Sequence, residues 1–351
     1  MSRLQQLKKL LAKRGVDSLL VLNQANVSYL AGFTTHDSAF FVTTSKAFLI
    51  TDRRYDTEYR NLVNGENIHT ITIEKDIFHT TKKLSAELAV KKIGFENNSI
   101  KLSTYEKLKK HISLPLLPTT HLVEGLRLIK TPEEIELLKQ AIRITLEAFR
   151  FAKAILRPGM KELHLAAEIE RFIRLKGASG ASFDIIAASG PHSSLPHAQK
   201  TNREIRRGEP LLIDMGVDYK GYKSDLTRVF FLGKMDTLFK RVHSVVKTAQ
   251  EKAIKQIRPG VPIETIDRQA RAHIQQQGFG EQFKHSLGHG IGVEVHEQPT
   301  IAPRNQTRLR EGMVFTIEPA IYLDGKFGVR LEETVLVTKK GVEVLSAIPN
   351  Q

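Results

Sequence analysis

One internal echo constrains this chain more than any other feature. The segment "AKAILRPGMKELHLAAEIERFIRLKGA" starts at Ala152, and "AIKQIRPGVPIETIDRQARAHIQQQGF" starts at Ala253. Arg157-Pro158-Gly159 recurs as Arg258-Pro259-Gly260 after 101 residues, and Gly177 recurs as Gly278 at the same offset. Each copy reads as a helix end, a Pro-Gly turn, a second helix and a glycine stop. Each is followed by a strand-like segment rich in histidine. Such a repeat predicts two similar halves, with a site formed where they meet.

The duplicated region opens at "LRLIKTPEEIELLKQAIRITLEAF". Thr131 fits an N-cap, Pro132 suits the first helical position, and Glu134 completes a capping box. Upstream, "DSLLVL", "AFFVTT", "AFLIT", "IHTITI" and "KKIGFE" are short apolar or β-branched runs bounded by turn residues, as strands are. Helical stretches such as "TTKKLSAELAVK" fall between them. The expected fold class is therefore α/β (α+β), with a small N-terminal domain over 1–125 and a larger domain over 126–351.

Composition narrows the chemistry. The chain has 351 residues and no cysteine, so disulfides and thiolate metal sites are excluded. Any metal must be held by carboxylates and imidazoles. The net charge of +15 is spread along the chain without a basic arm or an aromatic-interleaved patch. No nucleic-acid partner is expected on that ground. The start, "MSRLQQLKKLLAKRGVD", spaces Leu4, Leu7, Leu10 and Leu11 like a helix face and does not read as a signal peptide. No apolar run approaches the roughly 20 residues that cross a bilayer. A cytoplasmic location without a membrane partner is expected.

Four segments gather chemistry-bearing residues. "LLIDMGVDYKGYKSDLTR" reads as a hairpin; a turn centred on Tyr219 and Lys220 would set Asp214 directly opposite Asp225. "HSLGHGIGVEVHEQP" sets His289 between Gly288 and Gly290, with His296 seven residues on. "MVFTIEPAIY" ends an apolar run on Glu318, where a carboxylate is costly to bury unless paired or coordinated. "GVRLEETVLVT" reads as one strand-like run, with Arg330 and Glu332 on one face and Glu333 on the other. Asp214, Asp225, His289, Glu318 and Glu332 make a hard, oxygen-rich donor set. It suits Mn²⁺, Co²⁺, Fe²⁺ or Zn²⁺ and is too large for one catalytic zinc. Two divalent ions about 3.5 Å apart would use it well.

Together with "SGPHSSLPHAQ", these motifs resemble, in order and spacing, those of the Xaa-Pro peptidases, the prolidases and aminopeptidases P of the pita-bread metallopeptidases. "NQANVSYLAGFTT" and "FLITDRRY" are similar to the family's smaller, creatinase/prolidase-like domain. The resemblance implies a C-terminal pita-bread domain with a pseudo-twofold repeat. It implies hydrolysis of the bond between an N-terminal residue and proline in dipeptides or short peptides, with two divalent ions, Mn²⁺ first among them. Asp214 would chelate one ion, Asp225 and Glu332 would bridge both, and His289 and Glu318 would hold the second. His197, His296 and Glu318 would be catalytic, and Arg330 and Tyr322 would serve substrate binding. A homodimer is expected by analogy. His285 is expected to be structural.

Departures from the family pattern are Ala320, Ala198 and His192, which lie within the motifs and beside the expected site residues. Two rival readings are a metal-free creatinase-like amidinohydrolase and a non-catalytic pita-bread binding module. The motifs do not separate a dipeptidase from an aminopeptidase.

Overall fold

The computed structural model describes residues 2–63 and 68–347. The chain divides into two compact units, Met1–Arg127 and Leu128–Gln351.

Unit 1 is a six-stranded mixed sheet flanked by helices. Its strands are β1 (Ser18–Val21), β2 (Ala39–Thr43), β3 (Ala47–Thr51), β4 (Ile68–Thr72), β5 (Ile93–Glu96) and β6 (Leu116–Thr119), in the order β4-β3-β2-β1-β5-β6. The first five match the apolar runs read from the sequence. The sixth was hidden by Pro115 and Pro118; proline is tolerated there because β6 is an edge strand. β1, β2 and β3 are buried throughout, as an interior sheet covered on both faces requires. The first helix, Arg3–Lys13, buries Leu4, Leu7 and Leu11.

Unit 2 is built twice. The first half has helices Pro132–Ile155 and Glu162–Leu175, then β7 (Gly180–Ala181), β8 (Ile186–Ser189), β9 (Pro210–Met215), β10 (Val217–Tyr219), β11 (Tyr222–Lys223) and β12 (Leu226–Phe231). The second has helices Thr237–Ile254 and Ile263–Gln276, then β13 (Gly288–Gly290), β14 (Glu297–Ile301), β15 (Val314–Ile317), β16 (Ala320–Leu323), β17 (Phe327–Arg330), β18 (Glu333–Val337) and β19 (Val342–Val344). The second helix of each half has 14 residues, and the two share the offset of the Arg-Pro-Gly triplets. Gly159 and Gly260 turn the chain at φ of 83° and 86°. Their amides donate to Ile205 O at 2.9 Å and Leu309 O at 2.8 Å. The duplication is thus a repeated hydrogen-bond pattern.

Local signals start the first half as expected. Thr131 Oγ1 accepts from Glu134 N at 3.3 Å, and Glu134 Oε2 accepts from Thr131 N at 2.9 Å. The helix pair of each half covers its own sheet. Leu165, Ile169 and Ile173 pack with Leu211, Ile213 and Leu226; Ile266, Ala270 and Ile274 pack with Phe315, Ile317 and Val335. Full burial of each large aliphatic side chain contributes about 1.5–3 kcal/mol.

Two long hairpins organise the functional region. In the first, Thr227 faces Asp214 and Tyr222 faces Tyr219. The turn therefore falls on Lys220 and Gly221, with φ of 51° and 83°. The expectation of a turn at Tyr219–Lys220, with Asp214 opposite Asp225, is corrected. A two-residue turn matching strand twist needs positive φ at both central positions, which Gly221 adopts freely. Asp225 instead lies two residues before the partner of Asp214, a diagonal neighbour.

In the second hairpin, Ile317 faces Glu333 and Ala320 faces Arg330. The register is continuous across a break, so Glu318 faces Glu332. The expectation that 328–338 forms one strand is also corrected. β17 and β18 belong to different sheets, with Leu331 and Glu332 between them. Pro319 lies in the break, where its missing N–H costs no ladder bond.

Candidate metal centre and cleft

The first hairpin is also broken, at Gly216 and at Ser224–Asp225, where β9 and β12 give way to β10 and β11 of another sheet, and each hairpin break has its own support. Gln250 Nε2 donates to Ile317 O at 3.0 Å and Leu331 O at 2.8 Å, the carbonyls flanking Glu318 and Glu332. In the first hairpin, Ser224 Oγ accepts from Val217 N at 3.0 Å and meets Thr145 Oγ1 at 2.7 Å. Buried backbone groups freed from a ladder must find such partners.

The breaks bring the acidic side chains together. Oxygens of Asp214, Asp225 and Glu332 lie within 4.8 Å of one another, as do ligand atoms of His289, Glu318 and Glu332. Asp214, Asp225 and Glu332 are buried. His289 Nε2 is 3.3 Å from Glu318 Oε1 and 3.5 Å from Asp225 Oδ2. Its other nitrogen, Nδ1, donates to Gly290 O at 3.1 Å, which fixes the ring and leaves Nε2 facing the carboxylates. Gly288 and Gly290 let β13 lie close: a Cβ would collide with Thr316 O at the first and Gln298 O at the second.

Arg330 supports the cluster from below. Its Nη2 donates to Asp214 Oδ2 at 2.6 Å and its Nε to Thr227 Oγ1 at 3.0 Å. Nη1 donates to Tyr322 Oη at 2.5 Å and Pro196 O at 3.2 Å. Thr227 Oγ1 passes the connection on, donating to Glu332 Oε2 at 2.8 Å. Burial alone would lower the guanidinium, but Tyr322, Asp214 and Glu318 around it hold it well above its ordinary value.

The carboxylates crowd one another. Burial pushes Asp225 well above the usual carboxylate range, and the charges of Asp214 and Glu318 push it further. Burial, then Asp225, Glu318 and Asp214, does the same to Glu332. Burial raises Glu318, with partial relief from His289 and Arg330. The sign follows. A carboxyl whose folded value is raised holds its proton better when folded, so its contribution is present below the ordinary carboxylate range. It is lost as pH rises through the folded value. Bound cations reverse this by favouring the ionised forms.

Two buried oxygens, Asp214 Oδ1 and Glu332 Oε1, have no hydrogen-bond partner among the described residues. Orphaned acceptors beside mutually repelling carboxylates and an oriented imidazole fit hard divalent cations.

A cleft of about 770 Å³ opens over the cluster. Its lining includes all five residues of the donor set together with His197, His285, His296, Tyr322 and Arg330. The His296 ring lies 4.2 Å from that of His289, nearly perpendicular to it. Burial, then His289 and His197, lowers His296 from its ordinary value. His285, expected to be structural, also lines the cleft. Its Nδ1 donates to Ser286 O at 2.7 Å, which leaves Nε2 to accept from Tyr322 Oη at 3.3 Å. Burial first holds His285 down at about 4. Its spacing, four residues before His289, was the available signal. Thr227 was also missed, although it lies two residues after Asp225 and so on the same side of the strand.

Residues 136–339 match the metallopeptidase family M24, and residues 3–129 match the creatinase/prolidase N-terminal domain. A solved Xaa-Pro dipeptidase from Bacillus anthracis is 37% identical, with a TM-score of 0.94 over 99% of this chain and 98% of that one. An X-Pro aminopeptidase structure from Thermotoga maritima is also 37% identical, with a TM-score of 0.89 over 97% of this chain and 98% of that one. The Xaa-Pro dipeptidase of Pyrococcus horikoshii is 33% identical over 98% of this chain and 96% of its own length. With a duplicated fold, a cation-fitting carboxylate cluster and these matches in hand, the chain belongs to the metallopeptidase family M24.

Proposed function

We propose that this chain hydrolyses the bond between an N-terminal residue and proline, in dipeptides or short peptides, using two divalent metal ions. The observation that carries the reading is the packing of Asp214, Asp225 and Glu332 within 4.8 Å, with two orphaned oxygens among them. Asp214, Asp225, His289, Glu318 and Glu332 would hold the ions. Mn²⁺ is the first choice, and Co²⁺, Fe²⁺ and Zn²⁺ suit the same donors. Such ions supply Lewis acidity toward a carbonyl oxygen and toward water.

The remaining work falls to the side chains. Glu318 accepts a proton at its carboxylate and returns it later in the reaction. The proline nitrogen of the scissile bond carries no N–H, so it must gain a proton to leave. That proton is the one Glu318 returns, and His296 and His197 stand in the cleft to hydrogen-bond the developing oxyanion. Arg330 and Tyr322 act from beneath. Four of the five guanidinium N–H groups are engaged by Asp214, Thr227, Tyr322 and Pro196. We therefore assign Arg330 first to orienting Asp214 and the cleft wall.

The fuller reading is a cytoplasmic homodimer with an N-terminal domain over 1–125 and a catalytic domain over 126–351. The two compact units and the two family matches support that division. No helix of the described residues is long and apolar enough to cross a membrane.

The test offers Ala-Pro and Ala-Pro-Ala to protein supplied with Mn²⁺, Co²⁺, Fe²⁺ or Zn²⁺. Release of alanine from at least one peptide, abolished by a chelator, is the expected result. Intact peptides under all four metals would remove the proposal, and the ratio of the two rates separates dipeptidase from aminopeptidase.

A further inference from the structure

His192, the residue that fits its segment least, leads to a second buried carboxylate. Glu162 opens the helix Glu162–Leu175, and its side chain is fully buried. It accepts from Ser189 N at 2.7 Å, Ser189 Oγ at 2.9 Å and His192 Nδ1 at 2.9 Å. It also accepts from Thr201 Oγ1 at 2.7 Å and Thr201 N at 3.3 Å. One carboxylate therefore ties together the two ends of segment 189–201, and His197 lies within that segment. The other side is pinned by the metal-site hairpin: Ser193 Oγ accepts from Gly328 N at 2.9 Å, and Pro196 O accepts from Arg330 Nη1 at 3.2 Å.

The duplication supplies an internal control. The equivalent helix start in the second half is Ile263, an aliphatic residue with 0% exposure. Its amide makes the matching bond: Glu162 N donates to Arg203 O at 3.1 Å, and Ile263 N to Thr307 O at 3.0 Å. The fold thus builds this helix entry without a carboxylate. Glu162 is present in the half that carries the His197 segment. A buried carboxylate is costly unless its acceptors are filled, and here the donors that fill them come from the two ends of that segment.

We propose that Glu162 is a positioning residue, which holds His197 over the cleft by clamping both ends of its segment. This rests on the role given to His197 above. Misplacing a catalytic group by about 1 Å costs up to about a hundredfold in rate. Glu162→Gln replaces one acceptor oxygen with a donor that faces other donors, so the clamp loosens. The expected result is a drop in kcat of about tenfold, with KM changed less.

A double-mutant cycle with His197→Ala separates positioning from general destabilisation. If Glu162 acts through His197, adding Glu162→Gln to His197→Ala leaves kcat within about twofold of the single variant. An equal drop in both backgrounds would overturn the proposal. If Glu162→Gln does not fold, Thr201→Val combined with His192→Ala enters the same cycle, with the same two outcomes. Normal turnover by His197→Ala alone would remove the role of His197, and the clamp with it; peptide hydrolysis by the parent chain would still stand. Mn²⁺ titration of Glu162→Gln is expected to match the parent, and a loss of metal binding would count against a role confined to His197.

Discussion

Asp225→Asn is expected to lower kcat for Ala-Pro by about a thousandfold or more, because several kcal/mol of charge stabilisation is lost with the ions. The amide keeps the shape of the side chain but would offer a cation one neutral oxygen in place of a charged carboxylate. The same change has an opposite effect on the metal-free protein. Asp225 is raised by burial and by its neighbours Asp214 and Glu318. Removing its charge relieves that crowding, so the metal-free variant is expected to melt at or above the temperature of the parent at pH 8. The parent should be stabilised by added Mn²⁺ and the variant far less. Calorimetry with and without Mn²⁺, beside an Ala-Pro assay, checks both halves. Near-normal turnover by a folded Asp225→Asn protein would contradict the account.

Arg330→Met carries the largest expected cost in stability. Arg330 is 4% exposed, and its guanidinium joins Asp214, Thr227, Tyr322 and Pro196. Methionine fills much of the volume but leaves Asp214 buried beside other carboxylates without its cation. Breaking a buried pair from one side typically costs about 3–5 kcal/mol. Arg330→Lys is expected to recover only part of this, since one ammonium cannot span four acceptors set in a plane. Calorimetric unfolding of the metal-free proteins measures the cost. A change within about 0.5 kcal/mol, the range of ordinary surface substitutions, would mean that Arg330 does not hold the cluster together.

Particular residues show what could be read from sequence and what could not. The helix starts of unit 2 were legible because their signals are local: Thr131 with Glu134, and an Arg-Pro-Gly turn before each second helix. The donor set was legible as residue types in order. Its geometry was not. The hairpin turn moved by one residue because Lys220 accepts positive φ beside Gly221, and that choice alone changed which residue faces Asp214. The break between β17 and β18 was invisible to alternation, because apolar periodicity continues across it while the chain changes sheets. Thr227, Gln250 and Glu162 act through partners more than 25 residues away, and no local pattern marks them. β6 was masked by its prolines, which edge position permits.

Carboxylates this crowded can all be ionised together only beside bound cations. Isothermal titration of chelator-stripped protein with Mn²⁺, at pH 6 and pH 8, tests it most directly. The account predicts two ions per chain, proton release on binding, and tighter binding at pH 8, because Asp225, Glu318 and Glu332 must give up protons they hold above the ordinary range. Folded protein that takes up no Mn²⁺ at either pH, or binds it with equal affinity at both, would contradict it.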